Sequence, residues 1–228
     1  MELEYEHTWE ANVNFWEERW SLGQTGWHNQ AVNENLQRHH HVLFTEESPR
    51  ILVPLCGKTL DMPWLSAQGA TIVGVDLVAQ ALKEFINEHN LSVNETTTDT
   101  LTHYTNDRWH LIQGNIFDTT ADQIGMVDAI FDRAALVALP LDSRTKYAGH
   151  CLSLLKEGGK ILLITYDSPV ADNQGPPFPV RNGTVERLYA EATSCVQIDE
   201  IITHKADDQR LQKRNLDWSR ADIWEITK

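Results

Sequence analysis

The chain has 228 residues, with 33 Asp and Glu against 19 Lys and Arg, a formal charge of −14, and eight tryptophans. That length predicts one domain over 1–228, with a core large enough to need neither a disulfide nor a metal. The charge, which ten protonated histidines would not reverse, excludes nucleic acid and anionic membrane as partners, because both select a basic surface.

Val13, Phe15, Trp16 and Trp20 recur at helical spacing and predict a short amphipathic helix, broken at Gly23 and Gly26. A second helix is expected over about 30–44, with Val32, Leu36 and Leu43 on its apolar side. Segment 1–45 as a whole reads as a helical cap. His39-His40-His41 resembles a metal cluster, but successive helix residues point apart, so the run reads as a solvated helix end and no metal site is expected.

A different rhythm follows. Ile51-Leu52-Val53-Pro54-Leu55 is a short buried strand, turned at Cys56-Gly57 and followed by a helix through Met62, Trp64 and Leu65 that Gly69 ends. The run from Thr71 to Val75 is a second strand ending at Asp76, and Ala79 to Asn90 the next helix. Segment 91–108 is non-periodic and reads as an irregular excursion or hairpin. Strands follow at 110–113 and 127–131, then a helix through Tyr147, Cys151 and Leu155 stopped by Gly158-Gly159, and a fifth strand from Lys160 to Tyr166.

Beyond a proline-rich loop at 175–179 lie a helix near 184–192 and two β-like runs, 196–203 and about 219–226, able to pair antiparallel. Strands alternating with helices imply right-handed crossovers. The fold class is therefore α/β: a Rossmann-like, doubly wound, mostly parallel sheet with helices on both faces and an antiparallel edge. Three scattered cysteines read as reduced thiols. An acidic start and the lack of any long apolar run point to a cytoplasmic protein.

In such a sheet ligands bind beyond the carboxyl ends of the strands. Gly57 allows a sharp turn close to a ligand. Lys58-Thr59 suggests a P-loop, but that motif needs glycine where Leu52 stands, and no GxGxxG occurs either. Asp76, about 20 residues beyond the glycine turn, is placed to accept from ribose hydroxyls, with a helix cap as its bland alternative. Asn115 and Ile116 are placed to frame a base, and Asp132-Arg133 puts a charged pair at the mouth of the sheet. Together these point to a nucleoside cofactor not gripped by its phosphates, with S-adenosylmethionine the candidate.

At these residues the sequence resembles the bacterial thiopurine S-methyltransferases. The carriers are Phe15-Trp16-Glu17-Glu18-Arg19-Trp20, Gly26-Trp27-His28, Val53-Pro54-Leu55-Cys56-Gly57-Lys58, Val73-Gly74-Val75-Asp76, Phe131-Asp132-Arg133-Ala134-Ala135-Leu136-Val137-Ala138 and Gly175-Pro176-Pro177-Phe178. The resemblance implies a class I methyltransferase fold. It implies cofactor contacts at Trp16, Leu55, Asp76, Asn115, Ile116 and Arg133, and an aromatic beside the substrate at Trp27. Asp76, Trp27 and Ala134 depart from the family's usual Glu, Phe and Gly.

The expected reaction is methylation of an aromatic or heterocyclic thiol by a monomer, with Gly57 in the cofactor turn, Arg133 as the catalytic side chain orienting an anion, and Trp27 and Phe178 at the substrate. Trp20 reads as a core aromatic sooner than a site residue. Arg133 has a salt bridge to Asp132 as its alternative. Two other readings stand beside this one: methylation of another soft nucleophile (selenium, tellurium, sulfide or halide), and cofactor binding without catalysis.

Overall fold

The computed structural model describes residues 9–98 and 100–228; residues 1–8 of the expected cap lie outside it. Helix α1 (Trp9–Ser21) and α2 (Glu34–His39) precede the sheet. The Asn33 side chain starts α2 by accepting from the backbone N–H groups of Asn35 and Leu36, at 2.9 and 3.2 Å.

Then follow β1 (Arg50–Pro54), α3 (Asp61–Ala67), β2 (Thr71–Asp76), α4 (Ala79–Glu88), β3 (Asn94–Thr97), β4 (Thr102–Thr105), β5 (Trp109–Gln113), α5 (Ala121–Ile124) and β6 (Val127–Arg133). The chain ends with α6 (Leu141–Leu154), β7 (Leu155–Ile164), α7 (Thr184–Leu188), β8 (Ser194–His204), α8 (Gln209–Arg214) and β9 (Trp218–Thr227). Among the described residues no helix is long and apolar enough to cross a membrane.

All nine strands form one sheet, ordered β3-β4-β5-β2-β1-β6-β7-β9-β8. The five central strands, β5 to β7, run parallel. Their unbroken apolar runs follow from burial on both faces: in β1, Leu52 joins one core, while Ile51 and Val53 join the other. The first core takes Tyr147, Ala148 and Cys151 from α6 and Val185 from α7. The second takes Leu36 from α2, Met62 and Leu65 from α3, and Leu82 and Phe85 from α4.

The antiparallel edge expected near the C-terminus is present as β7-β9-β8. A second one stands opposite, because 91–108 folds into the β3–β4 hairpin and pairs with β5. Strand β8 lies at the outer edge and carries a register irregularity between Gln197 and Asp199. The Asp199 carboxylate there accepts from His39 at 2.9 Å and Arg38 at 3.2 Å.

One expectation is corrected. Gly158-Gly159 does not stop a helix: α6 ends at Leu154, and both glycines lie inside β7. Gly158 has φ +73°, and a Cβ on Gly159 would sit 2.8 Å from the Asp128 carbonyl oxygen, beside the register shift between β6 and β7. The pair serves a bulge, which needs the same glycine chemistry as a helix stop.

Candidate active site

The carboxyl ends of β1 and β6 converge with the α1–α2 connection on one cleft, and the end of β2 lies beneath the turn that follows β1. After β1 the chain turns through Leu55 (φ +48°) and Gly57 (φ +52°). The turn is tied to β2: the Gly57 N–H donates to Asp76 Oδ2 at 2.6 Å, and the Val78 N–H donates to Oδ1 at 2.8 Å. Burial pushes the Asp76 carboxyl up to about 6, against the pull of those two N–H groups. Each carboxylate oxygen keeps a second lone pair for a ligand donor, so Asp76 is cap and candidate ligand at once.

The pair at the end of β6 splits. Asp132 points inward, where Tyr147 donates its hydroxyl at 2.7 Å and Leu136 its N–H at 3.1 Å; burial pushes this carboxyl up to about 6 as well. The Asp132–Arg133 salt bridge left open by the sequence does not form. Arg133 instead lines the cleft, without a hydrogen-bond or ion-pair partner among the described residues. Burial lowers the pKa of its guanidinium, Asp61 opposes that, and Arg210 adds to it.

Asp61 is itself occupied. It accepts from the Asn33 N–H at 2.7 Å and from the Thr59 hydroxyl at 2.9 Å, anchoring the segment between α1 and α2 to α3.

Three tryptophans close the cleft. Trp20, 5% exposed, packs with Val78 and Ala81 at the start of α4. Its ring would lie 3.2 Å from a Cβ on Gly57, which explains the glycine. Trp27 meets Trp16 edge to face at 5.0 Å and Trp20 at 6.1 Å. The free space among these side chains is about 20 Å³, room for one or two waters.

Of the residues singled out from sequence, Leu55, Gly57, Trp27 and Arg133 line the cleft, with Asp76 directly beneath Gly57. Trp16 reaches it through Trp27. Asn115 caps a 3-10 turn by accepting from the Phe117 N–H at 3.0 Å, and Ile116 is buried in the first core. Phe178 is fully buried and does not line the cleft. A Cβ on Gly175 would run into its ring, and the buried Arg144 donates to the carbonyls of Phe178 and Pro179.

Trp20, weighed from sequence as core or site residue, lines the cleft, and so do His28, Lys58 and Asp61, to which the sequence assigned no site role. Cys56 packs there with burial pushing its thiol up, as a small core residue does. Ala134 also borders the cleft, at φ +68°. A β-branched side chain is worse still in that region. Ala134→Val should therefore cost about 1–2 kcal/mol, whereas Ala134→Gly, trading strain relief for a lost methyl and added chain entropy, should stay within about 0.5 kcal/mol. A denaturant melt that leaves the Val variant as stable as the parent contradicts this.

The donor set suits S-adenosylmethionine: a strand-end carboxylate for ribose, a tight glycine turn without a phosphate cradle, and apolar walls.

Residues 11–228 match the family model of thiopurine S-methyltransferases. A thiopurine S-methyltransferase of Legionella pneumophila is 40% identical over 201 residues, covering 88% of this chain and 88% of that one. Another, from Nitrosospira multiformis, is 39% identical over 179 residues, covering 78% and 81%.

Among solved structures, the 1,6-didemethyltoxoflavin-N1-methyltransferase of Burkholderia thailandensis, with S-adenosylhomocysteine bound, superposes with a TM-score of 0.62 at 14% identity. It covers 95% of this chain and 86% of that one, a likeness of fold. With fold, strand-end chemistry and sequence in agreement, the chain belongs to the thiopurine S-methyltransferase family and is an enzyme that uses S-adenosylmethionine.

Proposed function

We propose that the methyl acceptor is a small aromatic or heterocyclic thiol, bound as its anion between Trp27 and Arg133. The observation that carries this reading is Arg133: a partly buried cation with no partner among the described residues, facing an aromatic cleft. An isolated charge there is costly unless a ligand anion completes it. S-adenosylmethionine supplies a methyl group activated on a sulfonium.

The remaining work falls to this chain. Asp76 would hold the ribose hydroxyls. Leu55, Gly57, Asn115 and Ile116 would border the nucleoside, with Trp16 closing over it. Holding two reacting sulfurs in line supplies roughly 7–11 kcal/mol when the geometry is right. Aromatic faces at a sulfonium add about 0.5–2 kcal/mol by cation–π attraction, and a closed cleft strips water from the thiolate.

In this reading residues up to about 45 form the cap of a single domain. Phe178 acts through the loop it holds, and the protein works as a cytoplasmic monomer. Radiolabelled methyl transfer to heteroaryl thiols, selenite and halides tests it. Label is expected in the thioethers of the heteroaryl thiols. Label only in the selenium or halide products would move the acceptor to those nucleophiles, and none at all despite cofactor binding would sink the reading.

A further inference from the structure

The cleft holds five side chains with protons to exchange or charge to offer: His28, Cys56, Lys58, Asp61 and Arg133. Four are committed. The Lys58 ammonium bridges Glu84 at 2.8 Å and Glu88 at 2.6 Å. Both Asp61 oxygens are occupied. Cys56 is a buried, un-ionised thiol, and Arg133 is a permanent cation.

His28 differs. Its backbone N–H donates to the Thr25 carbonyl at 2.8 Å, which fixes the turn, but its ring has no hydrogen bond among the described residues. It follows Trp27 directly, so the side chain proposed to face the acceptor and this imidazole share one turn.

We propose that His28 is the proton acceptor for thiols that enter the cleft un-ionised, which extends the substrate range to thiols less acidic than heteroaryl ones. The inference rests on the reading of the acceptor as a thiol. A neutral ring nitrogen takes the S–H proton, and the bonding pair stays on sulfur. That sulfur forms the new S–CH₃ bond as the methyl–sulfonium bond breaks, with its pair left on the departing sulfur, now a neutral thioether. The proton leaves the imidazolium for solvent after product departs.

Surrounding charges keep the ring ready. Burial, Lys58 on the β1 turn and Arg133 at the end of β6 lower its pKa, while Glu84 and Glu88 on α4 raise it, and the balance is downward. The imidazole is therefore neutral near pH 7 and able to accept.

Two thiols separate the possibilities: 4-nitrobenzenethiol, ionised at neutral pH, and benzyl mercaptan, which is not. His28→Gln is expected to lower kcat/KM for benzyl mercaptan about 100-fold more than for 4-nitrobenzenethiol, the lower end of general-base contributions. Independently of turnover, nuclear magnetic resonance titration of the His28 ring is expected to give a higher pKa in Lys58→Met, where Glu84 and Glu88 lose their cation. The acidic limb of the benzyl mercaptan rate profile should move with it.

Equal losses on both thiols, or a limb that ignores the ring titration, overturn the role of His28. Wild-type protein that binds S-adenosylhomocysteine yet methylates neither thiol would mean instead that the acceptor reading has failed.

Discussion

Asp76→Ala is expected to weaken S-adenosylmethionine binding by about 1.5–3 kcal/mol, roughly 10- to 150-fold in Kd, the scale of a charge-assisted hydrogen bond. Two losses add in the same direction. The free lone pairs of the carboxylate vanish, and the Gly57 and Val78 N–H groups lose the acceptor that shapes the turn.

Acid should imitate the substitution. The folded carboxyl sits at about 6 against an ordinary 3.8, so its ionised form, the one that accepts from ribose, fades as pH falls through that value. Affinity should therefore drop below about pH 6, and Asp76→Ala should remove that drop. Stability runs the other way: a raised folded pKa favours the fold at low pH, a contribution lost as pH rises through about 6. Calorimetric titrations that show unaltered affinity in the variant would reduce Asp76 to a helix cap.

Arg133→Met is expected to lower kcat/KM about 100-fold, some 2–3 kcal/mol of transition-state stabilisation, while leaving Tm unchanged or higher. The opposite signs are the diagnostic. A structural arginine would be paired, and its removal would destabilise. Arg133 has no ion-pair partner among the described residues and is held charged against burial, so a thioether of similar reach relieves a cost to the fold. A large fall in Tm with an unchanged rate per folded molecule would take Arg133 out of the site.

The sheet was legible because parallel strands buried on both faces are written as short apolar runs, and Asp76 because strand ends are where such sheets bind ligands. Local pattern could not say which face a residue takes once a loop packs. Ile116 packs in the first core and Phe178 is fully buried, surroundings that motif order alone does not convey. Trp20 reads as core and proves to be core and cleft wall together, because its packing on Val78 and Ala81 lays its ring over Gly57.

His28 and Asp61 depend on docking of the segment between α1 and α2, a long-range event fixed by Asn33 on Asp61. The Gly26-Trp27-His28 motif was the available signal for His28. Asp61 announced itself by nothing beyond its place at the start of α3.

The outer strand β8 has a bearing on how copies of the protein coexist at high concentration. An 11-residue strand with one unpaired side offers a template for a neighbouring chain, and it exposes Val196 and Ile202 at 51% each. The irregularity at Gln197–Asp199 breaks the straight run of free N–H and carbonyl groups that a second molecule would need. Asp199 is tied there to Arg38 and His39, and Glu200 beside it adds negative charge on a chain already at −14. Strand addition between molecules is thus opposed by geometry at the bulge and by repulsion along the rest, so the edge guards against aggregation without a covering helix.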